Sequence, residues 1–370
     1  MGASTTGSAT RVGRWSRSAA TPTATARWTR ESRLKRALIT GITGQDGSYL
    51  ADHLLDLGYQ VWGVVRQTSA GESPALARLR DRVEVIQGDL LDQGSLSRAV
   101  RQSRPDEVYN LAAQSFVGRS WNEPVHTLEA TGMGAVRLFE AVRDHAPEAR
   151  VYQASSSEMY GYAAAGPVDA TGPFLPHSPY GVAKVMAHHS AAVYRRSHGL
   201  HVSCGILFNH ESPRRGPHFV TRKVCRGAAL AALGHSEPLA LGNLEARRDW
   251  GWAPDYVRAM HLLLQHPEPL DMMVATGVSH SVRDLARVAY AAVGLHWEDH
   301  VRLDQAQLRP AEIPNLTGDP TAAAELLGWR PEVDFGEMIR RMVLAELERL
   351  TPAGLPRGAP PPRVDAPPPH

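Results

Sequence analysis

Arg36-Ala37-Leu38-Ile39-Thr40-Gly41-Ile42-Thr43-Gly44-Gln45-Asp46-Gly47 is a short apolar run that breaks into glycines at three-residue spacing and then passes into a helical pattern. Such a turn brings backbone N–H groups up to an anion at a helix N-terminus, where the macrodipole favours negative charge. A glycine turn can also be purely structural. Its position between a strand and a helix, at the head of a βαβ unit, decides for dinucleotide binding, with Gly41, Thr43, Gly44, Gln45, Asp46 and Gly47 as cofactor-binding residues.

Outward from this turn, short apolar runs alternate with longer helical stretches. Residues 36–40, 60–65, 83–87, 107–111, 150–154 and 202–208 read as buried parallel strands, and 48–57, 95–103, 131–143 and 180–197 as the helices crossing between them. That pattern is a doubly wound α/β parallel sheet of Rossmann type. Beyond residue 208 the alternation loosens, with helices expected near 223–233, 254–265, 282–293 and 336–350. The expected division is a disordered basic extension over 1–34, a Rossmann domain over 35–208, a smaller substrate-binding region over 209–350 and a disordered proline-rich tail over 351–370.

Composition narrows the function classes. Hydrophobic content of 43% with 21% charge is ordinary for a soluble globular enzyme. No apolar run approaches the roughly 20 residues needed to span a bilayer, so no membrane partner is expected. Two cysteines, Cys204 and Cys225, make neither a disulfide framework nor a metal cluster, and fit a reducing cytoplasm. Among 17 histidines no His-x-x-x-His or His/Glu pattern falls at the expected cleft, and His188 and His189 are adjacent on a helix and face apart, so no metal is expected. Residues 1–36 hold eight basic side chains and one acid, leaving 32 basic and 37 acidic residues, a balance of −5, on the remainder. That excludes a nucleic-acid partner for the folded part. The basic head lacks an apolar core, so it is no secretory signal, and it reads as an extension rather than a targeting peptide.

Strand ends at a switch point line the cofactor crevice. The second strand ends at Arg66, where an acid would bond a ribose 2′-hydroxyl and an arginine pairs with a 2′-phosphate, which favours NADP over NAD. The third ends at Asp89 and Leu90, the fourth at Leu111, Ala112, Ala113, Gln114 and Ser115, whose small alanines admit a close-lying cofactor. The fifth delivers Ser156 and Glu158. Only three of the 40 basic residues are lysines, and one of them, Lys184, stands four positions after Tyr180. Four residues apart on a helix is one face, so the pair shares a cleft, and an ammonium there is expected to lower the tyrosine pKa toward general-base use. A serine, the tyrosine and the lysine suffice for redox chemistry. The extra carboxylate of Glu158 implies a second proton transfer.

Taken with these motifs, Tyr152-Gln153-Ala154-Ser155-Ser156-Ser157-Glu158, Phe208-Asn209-His210-Glu211-Ser212-Pro213-Arg214-Arg215-Gly216, Phe219-Val220-Thr221-Arg222-Lys223, Arg248-Asp249-Trp250-Gly251 and Arg309-Pro310-Ala311-Glu312 resemble the GDP-mannose 4,6-dehydratase family of the extended short-chain dehydrogenase/reductase superfamily. The similarity runs from about Lys35 to about Leu350. It implies a cytoplasmic lyase in which hydride leaves C4 of the mannosyl ring for a bound NADP while Tyr180 takes the 4-hydroxyl proton. Glu158 then takes the C5 proton, water leaves C6, and hydride returns to C6 to give GDP-4-keto-6-deoxymannose. By the same resemblance Lys184 holds the nicotinamide ribose, His210 and Arg215 contact the cofactor, and Asn209, Lys223, Arg248, Arg309 and Glu312 contact GDP-mannose. It also implies a homodimer or homotetramer.

The chain departs from the family at three places. Ser156 stands for its threonine, Arg66-Gln67 for its arginine pair, and His126 for a tyrosine facing the cofactor. Two other readings compete: another nucleotide-sugar enzyme of the superfamily, a 4-epimerase or 4-keto reductase, and a non-catalytic binding protein. Intact Ser156, Glu158, Tyr180 and Lys184 argue against the last.

Overall fold

The computed structural model describes residues 34–66, 74–163, 168–307, 313 and 315–351, all within one compact unit, Leu34–His370. The expected basic extension (Leu34 apart), the expected tail (Thr351 apart), Arg309 and Glu312 lie outside the described residues. The described elements used below are, in chain order, β1 (Arg36–Thr40), α1 (Gln45–Asp56), β2 (Gln60–Val65), β3 (Glu84–Gln87), α2 (Gln93–Ser103), β4 (Glu107–Asn110), α3 (Gly134–His145), β5 (Arg150–Ser156), α4 (Pro179–His198), β6 (Val202–Leu207), β7 (Asn209–Glu211), α5 (Val220–Ala232), β8 (Arg247–Trp252), α6 (Ala253–Gln265), β9 (Asp271–Val274), β10 (Ser279–Ser281), α7 (Val282–Ala291), β11 (Asn315–Leu316) and α8 (Phe335–Leu350).

Seven parallel strands form the main sheet in the order β9-β6-β5-β4-β1-β2-β3. β1, β4 and β6 are buried almost throughout because both faces are covered by helices. One core cluster packs α1 and α6 on one face, through Leu50, Leu54, Met260 and Leu264; the other packs α2, α3 and α4 through Leu96, Leu138, Phe139 and Ala187. The order reverses between β1 and β4, and a crevice opens there at the strands' carboxyl ends.

The expected strands and helices recur with ends shifted by a few residues, and the structure adds strands beyond residue 208 that the pattern does not show. β9, the seventh strand, falls where the sequence pattern shows only loop; it pairs in parallel with β6 from Asp271↔Cys204 to Val274↔Leu207. The helix expected at 131–143 begins with a wide π-turn, Leu128–Met133, before α3. Past β6 the short β7 pairs with β8, which also pairs with β10 and β11, and a third core cluster joins α5, α7 and α8 around Trp250, Leu285, Tyr290 and Met342.

α4 carries strong end signals. Ser178 caps its start by accepting from the Gly181 N–H at 3.1 Å, Pro179 is its first residue, and Gly199, at φ +67°, closes it.

Candidate functional site

Two glycines show why the first turn admits no side chain. Gly41 has φ +74°, and a Cβ there would lie 2.8 Å from Ala112 N, so β1 and the end of β4 approach at backbone distance. At Gly47 a Cβ would lie 2.3 Å from Gly41 O, so α1 packs directly on the turn. Gly44 precedes α1 without a side-chain cap, which leaves the first-turn N–H groups of the helix facing the crevice for an anion.

The crevice widens into a cleft of ≈ 1040 Å³. Every described residue expected at the site lines it: Gly41, Thr43, Gly44, Gln45, Asp46, Gly47, Arg66, Asp89, Leu90, Leu111 through Ser115, Ser156, Glu158, Tyr180, Lys184, Asn209, His210, Arg215, Lys223 and Arg248. The cleft also takes in His126, which replaces the family's tyrosine, and Phe116, Arg119, His218 and Asn243, which the sequence did not point to. These belong to irregular segments or helix turns without a recognisable spacing. Phe116 and His218, both on the cleft wall, meet at 4.7 Å between ring centroids.

The strand ends are tied together by a buried line of hydrogen bonds. Thr40 Oγ1 donates to Asn110 Oδ1 at 2.8 Å, Asn110 Nδ2 to Gln153 Oε1 at 2.8 Å, and Gln153 Nε2 to Ala154 O at 3.0 Å. Lys184 Nζ donates to the same Ala154 carbonyl at 2.7 Å. The lysine is 4% exposed, and burial pushes its ammonium down to about 8 against the pull of Asp46. Its Nζ lies 5.7 Å from the Tyr180 ring centroid. The phenol is not lowered as the sequence led us to expect. Burial raises it to about 12, opposed by a hydrogen bond with Ser156 and by Arg215, and reinforced by Glu158. Desolvation of the phenolate outweighs an ammonium that is directed at a carbonyl instead.

Ser156 ends β5 and accepts from the Glu158 N–H at 3.2 Å, capping the short turn Ser157–Met159 that carries the carboxylate. Glu158 Oε2 is buried without a hydrogen-bond partner, an arrangement that costs free energy unless a further group meets it.

Across the cleft, His210 on β7 has both ring nitrogens engaged, Nδ1 donating to Phe208 O at 2.6 Å and Nε2 facing Asp46 Oδ2 at 2.9 Å. Two acceptors require two N–H groups, hence an imidazolium. The Asp46 carboxylate accordingly keeps the ring above its ordinary pKa despite burial, and is itself held down at about 2 against its own burial, with His210 the chief cause. Gln45 Nε2 donates to His210 O at 3.0 Å, fastening α1 to β7. Arg215 pairs with buried Glu211 at 3.1 Å and lies 3.5 Å over the Phe219 ring. Lys223 Nζ donates to Ala240 O at 3.0 Å, buried Arg248 NH1 donates to Ile313 O at 2.7 Å, and both residues line the cleft. Asp89 turns its Oδ1 to the Leu91 N–H at 3.0 Å, and Arg66 is exposed at the cleft's rim.

One His/Cys/Asp group, His188, Cys204 and Asp271, has ligand atoms within 4.8 Å of one another. None of the three lines the cleft, Asp271 is paired with Arg195 at 2.5 Å, and His188 is bonded to Ser155 at 2.9 Å.

Comparison with known proteins is consistent with this geometry. Residues 38–342 match the family model described as GDP-mannose 4,6 dehydratase. GDP-mannose 4,6 dehydratase 1 of Arabidopsis thaliana is 46% identical over 326 residues, covering 85% of this chain and 90% of that protein. Among solved structures, the UDP-glucose 4-epimerase of Thermus thermophilus in complex with NAD superimposes with a TM-score of 0.75 at 28% identity, covering 84% of this chain and 98% of the other. A dTDP-glucose 4,6-dehydratase of Streptomyces venezuelae with NAD bound gives a TM-score of 0.75 at 26% identity, covering 85% and 97%.

Proposed function

The chain belongs to the GDP-mannose 4,6 dehydratase family and is a hydro-lyase that dehydrates GDP-mannose; from that premise we propose that it works through Ser156, Glu158, Tyr180 and Lys184 with NADP held at the glycine turn. The observation that carries the reading is the gathering of those four side chains in one cleft, with Glu158 Oε2 buried and unpartnered beside them. The residues suit a nicotinamide dinucleotide: the turn at Gly41 and Gly47 has no room for a Cβ, and the first turn of α1 offers its N–H groups. Solved neighbours carry NAD; exposed Arg66 at the end of β2 supports NADP through a pairing with the 2′-phosphate.

When bound, the dinucleotide supplies a hydride acceptor for sugar C4 and a hydride donor for C6. Tyr180 removes the 4-hydroxyl proton, and the Ser156 hydroxyl in the same cleft favours the phenolate. Lys184, fixed by the Ala154 carbonyl, presents its charge to the phenolate and the ribose. The C4 ketone acidifies the C5 proton, which Glu158 takes and passes to the C6 hydroxyl, so that the hydroxyl leaves as water. Asn209, Lys223 and Arg248 meet the GDP-mannose, Lys223 as a point charge toward the diphosphate; Arg309 and Glu312 are proposed for the same contacts by family resemblance. His210 and Arg215 contribute positive charge toward the cofactor. Residues 35–208 then form the cofactor-binding domain and 209–350 the substrate-binding region, from which His210 and Arg215 reach toward the cofactor.

A cytoplasmic location is proposed on two free, buried cysteines, with no helix among the described residues long and apolar enough to cross a membrane. A homodimer or homotetramer is proposed on the exposed Val182 and Val193 of α4 and on exposed Val125 (46%, 47% and 73% exposed), and sedimentation tests it.

The deciding experiment is incubation with GDP-mannose and catalytic NADP. A 4-keto-6-deoxy product is expected with no net reduction of the cofactor, and Tyr180→Phe should abolish turnover while cofactor affinity persists. Absence of product from the wild type, or an epimerised sugar instead, rejects the assignment.

A further inference from the structure

α4 sends three side chains in successive turns, Tyr180, Lys184 and His188, along one face. The first two reach the cleft. His188 does not, yet it is 5% exposed and sits against the strand that feeds the site. The Ser155 hydroxyl lies 2.9 Å from His188 Nδ1, while Nε2 faces Asp271 Oδ2 at 3.8 Å. A carboxylate on that side favours the proton on Nε2, which leaves Nδ1 to accept from Ser155. Asp271, at the start of β9, is itself held by Arg195 of α4 at 2.5 Å, and Phe174 closes over the imidazole at 5.1 Å between ring centroids.

Three consecutive residues of β5 are therefore fixed in three ways. Ala154 O receives Lys184, Ser155 is bonded to His188, and Ser156 accepts from the Glu158 N–H and lies in the same cleft as Tyr180. We propose that His188 is a positioning residue: by fixing Ser155 it sets the Ser156 hydroxyl and the Glu158 turn against Tyr180. Arg195, Asp271 and His188 then form a line of charge and hydrogen bonding that runs from the sheet's outer strand to the reacting side chains without touching the ligands.

The test compares His188→Phe, which keeps an aromatic ring but no acceptor, with His188→Asn, whose amide oxygen can stand near Nδ1. His188→Phe is expected to lower kcat by about ten-fold or more, as misplacement of reacting groups does, with KM for GDP-mannose within about two-fold. Amide exchange over residues 151–158 should quicken. His188→Asn should recover both. Ser155→Ala cuts the same bond with little change of volume and should reproduce the loss, so misfolding of the Phe variant does not shelter the idea. Unchanged kcat in Ser155→Ala, an Asn variant no better than Phe, or a loss confined to KM overturns it. The turnover readout rests on the function proposed above and the exchange readout does not. A wild type inactive on GDP-mannose rejects that function, while exchange over 151–158 still decides for or against His188.

Discussion

Lys184 shows what one buried charge does to the fold and the site together. Its ammonium, pushed down to about 8 from the ordinary 10.5, costs stability while it is protonated inside the protein. Between those two values the unfolded chain holds a proton that the folded chain has released, so stability rises with pH there and is level below about 8. The rise is about 3 kcal/mol at 1.36 kcal/mol per pH unit. The denaturation midpoint of the wild type, referenced to Lys184→Met, should climb through that window. A flat difference would show that the lysine keeps its ordinary pKa. The Tyr180 phenol, held at about 12 by burial, has to be lowered by the groups that meet it in the working complex.

At the level of elements, the turn from β1 to α1 is the least forgiving. Gly41→Ala places a side chain at φ +74° and 2.8 Å from Ala112 N, so a loss of about 1–3 kcal/mol is expected together with weakened NADP binding, both measurable by thermal melts with and without the dinucleotide. Wild-type binding in that variant would show that β4 yields. This turn was legible in the sequence because only glycine solves its geometry, and β1, β2 and β6 were legible because burial on both faces forces apolar runs. β9 escaped for the opposite reasons: four residues, Asp271-Met272-Met273-Val274, begin with an acid and lack β-branched residues until the last. β7, Asn209-His210-Glu211, has no apolar alternation, since its side chains serve the cleft and the Asp46 ion pair rather than a core. Phe116, Arg119, His218 and Asn243 came to the cleft by tertiary packing, which no spacing in the sequence records. His188 stands out in the sequence only as half of a histidine pair.

For the whole molecule, the cleft is bounded on one side by the carboxyl ends of β1, β2, β4 and β5 and on the other by β7, α5 and β8, joined by the Asp46–His210 pair and by Gln45. Ligands that bridge these parts bind the folded chain alone. NADP at a hundred times its Kd should add about 2.7 kcal/mol, a Tm rise of several degrees, and GDP-mannose should add a further increment. Calorimetry that found no shift with either ligand would show that the folded chain does not bind them.

β6 waits long for its outer neighbour. Its partner strand β9 lies beyond α5, β8 and α6 in the chain, so during synthesis Val202–Leu207 is finished while Asp271–Val274 has yet to be made. A nascent chain halted between them carries a largely apolar strand with one side of its backbone unpaired, which is the kind of edge that other chains join. His210 and Arg215 emerge in that same interval, so early capture of the dinucleotide could not cover the edge. Through about seventy residues of translation between β6 and β9 that edge stays open, as one side of β1 does until β4 is made.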